Sequence, residues 1–248
     1  MMRICTQKFA PSQIPGCCLW LDSTNPNWAK DNTRPSDGTS ISSFKDQSGS
    51  GNDHTQVIGA SQPTYNTSTI GNRPSLTCTP TRYLSGSSIN FPTGTNPRTC
   101  FIVGNSSDVT QFQYPFLYGT NSLGNYWSVL INSDSLLWCD TFGWNSKFTT
   151  TTTSNNTNYI FEISVPTGAS VVLDWTGRIN GVDQTNTDNN SNNFNTVLDA
   201  SYVSSSVTTG VGGWVGQIGE IILFNGALTT AQKSMVRTYL SFKWGINA

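Results

Sequence analysis

The feature that most constrains this chain is a succession of short apolar runs, each closed by Gly, Asn, Ser or Pro. They are Cys17–Asp22, Pro74–Cys78, Cys100–Val103, Phe116–Tyr118, Trp127–Ile131, Leu136–Cys139, Tyr159–Val165, Ser170–Trp175 and Gly216–Phe224. Most are too short for a helix, are rich in Val, Ile, Phe, Tyr and Trp, and several alternate, as in Tyr159-Ile160-Phe161-Glu162-Ile163-Ser164-Val165. Repeated short strands with turn residues between them predict an all-β chain, an antiparallel sandwich or barrel.

One helix is predicted, at the C-terminus. Thr229-Thr230-Ala231-Gln232 fits a capping box, Met235, Val236, Tyr239, Leu240 and Phe242 form an apolar stripe, and Gly245 is placed to stop the helix. Residues 1–14 read as an N-terminal arm and 15–248 as one domain, without internal repeat or linker. The polar segments Thr149–Asn158 and Gln184–Asn195 are expected to be exposed loops.

Only 27 of the 248 residues are charged, 11%, and the net charge is −1, so the surface must be polar through Ser, Thr, Asn, Gln and Gly. With Lys and Arg scattered singly, nothing provides a row of phosphate contacts, and no nucleic-acid partner is expected. No stretch has the apolar length of a membrane span, and the opening Met1-Met2-Arg3-Ile4-Cys5 lacks the apolar run of a signal peptide. The six cysteines form no CxxC pair and several occupy apolar strand positions, which favours buried thiols over disulfides. Asn66, Asn105, Asn155 and Asn189 match the glycosylation acceptor pattern, as an Asn- and Ser-rich chain does by chance.

Several blocks carry a family resemblance. Gly16-Cys17-Cys18-Leu19-Trp20-Leu21-Asp22 resembles the "GL-x-LWLDA" opening of the concanavalin A-like lectin/glucanase superfamily, in its laminin-G-like bacterial and viral branch. Phe44–Asp53 is similar to that branch's "W-x-DqSGNgnd" turn, Asn72–Leu76 with Tyr83-Leu84-Ser85 to "rPal…yLs", and Ile179–Val182 to its "vNG" hairpin. Gly216–Thr229 with Tyr239–Gly245 is similar to "G-x-iaEiiiy-n-raLt…YLa-x-KWG", so the resemblance covers residues 16–246. It implies a jelly roll of two antiparallel sheets with a short C-terminal helix. Function is left open, because this superfamily holds glycan binders, glycosidases and structural modules.

The residues argue against hydrolysis. The superfamily's glucanases carry a Glu-x-Asp-x-Glu strand, which sets acid and nucleophile on one sheet face. Here the only glutamates, Glu162 and Glu220, are each followed by apolar positions, and Glu220 falls on the branch's recurrent "iaE" residue, read as structural. The single histidine, His54, has no second relay member suggested in sequence. No cofactor is expected. Relatives that hold Ca²⁺ through Asp and Asn oxygens leave such a site open in Asp183–Asn190 and Asp46–Asp53, but no Asp-x-Asp-x-Asp loop fixes its ligands.

Sugar rings stack on Trp and Tyr while Asn and Asp read their hydroxyls. Trp138–Asn145 offers that mix: Trp138 and Asp140 share one strand face and a Gly-containing tip follows with Trp144 and Asn145, while Tyr126 lies on the preceding run beside Trp127. Trp144, Asn145, Trp138, Asp140 and Tyr126 are therefore the candidate ligand-binding residues, with Trp20, Trp214 and Trp244 assigned to core. The expected function is a non-catalytic glycan-binding or adhesion module of a viral structural or attachment protein, exposed on a virion or extracellular surface. The alternatives are an architectural capsid or fibre protein contacting neighbouring virion proteins, for which a docked arm with Phe9 and Ile14 would argue, and a glycoside hydrolase.

Overall fold

The computed structural model describes residues 9–25, 34–141, 143–187, 191–205 and 212–248. Strands are numbered in chain order. One eight-stranded sheet runs β14 (Val182–Gln184), β13 (Thr176–Ile179), β12 (Tyr159–Val165), β7 (Arg98–Ser106), β16 (Gly216–Phe224), β5 (Arg73–Cys78) and β4 (Thr64–Ile70), with β1 (Cys17–Asp22) also paired to β16. The second, also eight-stranded, runs β11 (Asn145–Phe148), β10 (Leu137–Asp140), β9 (Tyr126–Ile131), β8 (Gln113–Gly119), β15 (Ser201–Val203), β6 (Leu84–Gly86), β3 (His54–Thr55) and β2 (Ser43–Phe44). Every strand pairing is antiparallel, and a helix, α1 (Thr230–Trp244), closes the chain. The fold is the all-β sandwich with one C-terminal helix that the apolar runs predict.

Side-chain alternation divides the apolar residues among three layers. Cys100, Ile102, Phe116, Tyr118, Trp127, Val129, Ile163 and Ile221 fill the space between the sheets. Their strand neighbours Phe101, Val103, Ile160 and Ile222 point the other way and meet Val236, Leu240 and Trp244 of α1. The first sheet is thus buried on both faces, which is why β7, β12 and the end of β16 read as near-continuous apolar runs. On the second sheet the outward cluster is smaller: Tyr114, Leu117, Tyr126 and Leu130, with Trp138 and Tyr202 partly buried at its margin.

The helix is capped as its sequence dictates. Gln232 N–H donates to Thr229 Oγ1 at 3.2 Å, Thr229 N–H donates to Gln232 Oε1 at 2.9 Å, and Gly245 ends the helix in the left-handed conformation at φ 66°. Its buried stripe is Val236, Leu240 and Trp244, whereas Met235 and Phe242 face outward, 50% and 85% exposed. Two further expectations are corrected. Ser170–Trp175 holds a 3-10 turn at Val172–Asp174 instead of a strand, because the Asp174 carboxylate accepts from the Ser170 and Val171 amides. Within Gln184–Asn195, Phe194 is buried, edge-on to Trp175 at 4.9 Å, so that segment is partly pinned down. Asp188, Asn189 and Asn190 lie outside the described residues.

The join between helix and sheet is electrostatic as well as apolar. Glu220, wholly buried, accepts from Trp20 Nε1 at 2.6 Å and Tyr239 OH at 2.8 Å on one oxygen, and from Lys243 Nζ at 2.8 Å and Trp244 Nε1 at 2.7 Å on the other. The preceding Gly219 sits at a bulge, and a Cβ there would lie 2.6 Å from the Trp244 ring, so only glycine lets that indole reach the carboxylate. Burial pushes the Glu220 carboxyl up, against the pull of the Lys243 ammonium. Of the arm, residues 1–8 lie outside the described set; Phe9 packs edge-on to Tyr239 at 5.7 Å and Ile14 is buried in the cluster beneath α1, so both dock on their own chain.

Cys17, Cys18, Cys78, Cys100 and Cys139 are free thiols, and Cys5 is outside the described residues. Burial pushes the Cys78 thiol up to about 12, far from a reactive thiolate. His54 is buried: Nδ1 donates to the Asn52 carbonyl oxygen at 3.0 Å, and Nε2 faces Ser201 Oγ at 3.0 Å.

Two predictions follow from this packing. Glu220→Ala leaves two indoles and a phenol without their shared acceptor and Lys243 with Asp22 alone, and lowers unfolding stability by about 3–5 kcal/mol, with Glu220→Gln milder, as read from urea melts. Desolvation pushes His54 down to about 4. The unfolded chain therefore takes up a proton near pH 6.5 that the folded chain refuses until near 4, and stability falls as pH drops through that window. Glu220, raised by burial, acts in the opposite sense, so the stability difference between wild type and His54→Gln isolates the imidazole. It is expected to shrink by about 3 kcal/mol between pH 7 and 4; a difference that does not vary with pH contradicts a neutral buried ring.

Candidate functional site

Strand register assembles a row of side chains on the outward face of the second sheet. Asp140 pairs with Asn145 on β11 and with Ser128 on β9. Ser128 pairs with Leu117, Leu117 with Tyr202, and Tyr202 with Ser85. Directly paired residues share a face, so Asn145, Asp140, Ser128, Leu117, Tyr202 and Ser85 cross six strands in line. A second row holds Lys147, Trp138 and Leu130.

An acid and two phenols organise the first row. Tyr114 OH lies 3.0 Å from Tyr126 OH and donates to Asp140 Oδ2 at 3.1 Å, and Tyr126 OH donates to the same oxygen. The other Asp140 oxygen accepts from Gly143 N–H at 3.2 Å and from the Asn145 amide nitrogen, which also donates to the Trp144 carbonyl oxygen at 3.2 Å. Burial pushes the Asp140 carboxyl up, against these donors, and pushes the Tyr126 phenol up as well. All three groups are at least nine-tenths buried, so they form the floor of the face.

Trp138 and its neighbours form the accessible part. Its indole N–H donates to Asp134 Oδ1 at 3.0 Å, Lys147 Nζ bonds the other Asp134 oxygen at 3.0 Å, and the ammonium sits 5.3 Å from the centre of the Trp138 ring. The partly buried ring is thereby held in one orientation beside Asn145 and the Asp140 floor. Tyr202 adds a second partly buried ring at the far end of the row.

Four of the five residues singled out in sequence, Trp138, Asp140, Asn145 and Tyr126, come together on this face. Trp144 does not join them. It precedes Asn145 by one position, so its ring turns to the opposite side, packs on the inter-sheet core and covers Gly124, where a Cβ would lie 2.3 Å from it. Phe142 lies outside the described residues, and Trp127, wholly buried, is core. Sequence reasoning missed Tyr114, Tyr202, Lys147 and Ser128. Tyr114 and Tyr202 come from other strands, and only the pairing register reveals their shared face, whereas Ser128 and Lys147 stand two positions after Tyr126 and Asn145 and share their face by alternation.

Several carboxylates elsewhere are engaged. Glu162 pairs with Arg237 at 2.6 Å and Lys233 at 3.7 Å on α1. Asp46 accepts from the Trp20, Ser48 and Asn52 amides and from Ser48 Oγ, and Asp53 from Lys45 and the Asp46 amide. Asp183 pairs with Arg178. Among the described residues no group of three or more His, Cys, Asp and Glu is arranged to hold a metal.

No protein-family model and no curated protein matches the chain. Solved structures do share its fold. An arabinofuranosidase complexed with arabinofuranosyl-α-1,2-xylobiose aligns with a TM-score of 0.59 at 12% identity, covering 81% of this chain and 50% of that one. The binding domain of Botulinum neurotoxin serotype D aligns with 0.59 at 12% identity, covering 94% and 54%. Trypanosoma rangeli sialidase in complex with sialic acid aligns with 0.55 at 9% identity, covering 93% and 33%. The chain thus spans about half the length of the first two and a third of the last. At such identities the likeness is one of fold alone, a jelly-roll β-sandwich shared with these three proteins.

Because Asp140 depends on phenolic donors, Tyr126→Phe is expected to lower stability by about 1–2 kcal/mol, the cost of an unsatisfied buried acceptor, measured by chemical unfolding. A Trp138→Ala change at the margin is expected to cost less.

Proposed function

We propose that this domain is a non-catalytic glycan-binding module, working as an adhesion or attachment element displayed on a virion or another extracellular surface. The observation that carries the reading is the row on the second sheet: an accessible indole fixed by Asp134 and Lys147, flanked by Asn145 and floored by Asp140 and two tyrosines. A sugar ring lays its C–H face on such an indole, while the Asn145 amide and neighbouring hydroxyls exchange hydrogen bonds with its hydroxyl groups. The second sheet suits this because α1 packs on the first and leaves the second free of a covering helix.

Absence of catalysis is part of the proposal. Both glutamates are spent on cations and ring donors of α1 and β1. Asp140 stands against phenols, with no second carboxylate described beside it at the spacing glycoside hydrolysis uses. The fold relatives include an arabinofuranosidase and a sialidase, and also a toxin's binding domain. The open indole face aligns this chain with binding.

A glycan-array screen of the purified domain, with Ca²⁺ and with chelator, tests the reading. Saturable binding to a defined glycan, weakened about tenfold or more by Trp138→Ala and less by Tyr202→Ala, is expected, one decade corresponding to about 1.4 kcal/mol. Trp144→Ala is expected to lower stability and leave glycan preference unchanged. No binding by the folded protein, or cleavage of a bound glycan, overturns the proposal, the first in favour of an architectural role.

A further inference from the structure

A second cavity lies on the opposite side of the molecule, between α1, the arm and β1. The cleft is about 660 Å³, within the range of small-molecule sites. Its walls are mostly apolar: Phe9, Trp20 and Tyr239 on the inner side, Met235 and Phe242 on the helix rim. Two of these rings are fixed from beneath, since Trp20 Nε1 and Tyr239 OH both donate to the same Glu220 oxygen. The inner wall of the cleft is thereby held in place, and the outward Met235 and Phe242 belong to its rim.

Its charges are specific. Asp22 lines the cleft, and one of its oxygens, Oδ1, takes the Thr24 amide and hydroxyl at 2.9 and 2.8 Å and Lys243 Nζ at 2.6 Å. Lys243 is shared between Asp22 and Glu220, so its charge is consumed. Arg73, on the same wall, is different. Of the ten Lys and Arg among the described residues, six form ion pairs and Arg34, Arg82 and Arg98 donate to neutral oxygens. The Arg73 guanidinium alone has neither kind of partner among the described residues, and it is exposed at the mouth of an aromatic cleft. A planar guanidinium there matches the two oxygens of a carboxylate or sulfonate, while the walls match an apolar body.

We propose that this cleft binds a hydrophobic anion, an aliphatic or aromatic carboxylate or sulfonate, with its acidic group on Arg73 and its apolar body between Trp20, Tyr239 and Phe242. The site is separate from the outward face of the second sheet and does not depend on the glycan-binding reading. Its ligand class also differs, since the exposed Arg73 guanidinium at its mouth asks for an anionic group that a neutral sugar does not carry.

The test is titration of the full chain with 1-anilinonaphthalene-8-sulfonate, an aromatic sulfonate whose emission rises in apolar sites, followed by displacement with octanoate and, separately, octanol. One saturable site per chain is expected, with octanoate displacing the dye at a concentration about tenfold lower than octanol. Arg73→Gln is expected to weaken the dye about tenfold and to remove the preference for octanoate. Phe242→Ser, at a position 85% exposed and so safe for folding, is expected to weaken both competitors together. Trp138→Ala should change nothing here, which separates failure of this site from failure of the glycan face. Unsaturable dye uptake, equal displacement by octanoate and octanol, or indifference to both Arg73→Gln and Phe242→Ser with the circular dichroism spectrum unchanged overturns the proposal.

Discussion

The Glu220 carboxylate is the constraint on which this structure turns. A charge taken wholly out of water is tolerated only when every lone pair is met, and here four donors meet them: two indoles, a phenol and an ammonium. Those donors come from β1 and α1, and the acceptor from β16, so the three elements must be in register for any of the bonds to form. The last turn of the helix, where Lys243 and Trp244 stand, is thereby locked to the sheet as well as laid on it. The same bonds hold Trp20 and Tyr239 upright and so create the cleft beside them.

This anchoring makes the sandwich asymmetric. The first sheet spends its outward face on α1, leaving Phe101, Val103 and Ile222 no access to solvent. The second keeps a face made of tyrosines, Asp140, Asn145 and a partly open Trp138, satisfied by its own hydrogen bonds. A buried polar network of this sort rigidifies what lies on it, because a shifted ring strands a carboxylate. The glycan-binding reading proposed above would need that rigidity, since each hydroxyl contact is weak and only a fixed array of them discriminates.

Much of this was legible in the sequence, for local reasons. Alternation along Tyr159–Val165 and Gly216–Phe224 set both strand type and facing, and Thr229, Gln232 and Gly245 marked the helix ends. Reading Glu220 as structural was possible because an isolated acid within an apolar run must find donors. The failures were non-local. Ser170–Trp175 has strand composition, yet Asp174 diverts its backbone into a turn. Phe194 sits in a polar stretch whose anchor, Trp175, is nineteen positions away. Trp138, Asp140 and Asn145 share a face that their closeness in sequence makes legible, while Trp144 does not share it, since one step along a strand reverses the face. Tyr114 and Tyr202 could be found only from the pairing of β8 with β9 and β15.

The scarcity of charge gives the remaining charges their meaning. In a chain with only 27 ionisable acids and bases of these four types among 248 residues, polarity is supplied by amides and hydroxyls, and ions are kept for particular tasks. Lys243 neutralises two acids, Arg237 and Lys233 hold Glu162 to the helix, and Lys147 braces Trp138. Arg98, buried with no acid beside it, spreads its donors over Tyr118, Thr196 and the carbonyl oxygens of Gly94 and Asn96, tying one end of the two sheets together. Against that economy, a guanidinium at the lip of an aromatic cleft, with no ion pair or hydrogen bond among the described residues, is what the proposed anion site rests on. On the two readings proposed above, the faces divide the chemistry of recognition between them: neutral hydroxyl-bearing rings on the second sheet, and an apolar body with one negative charge beside the helix.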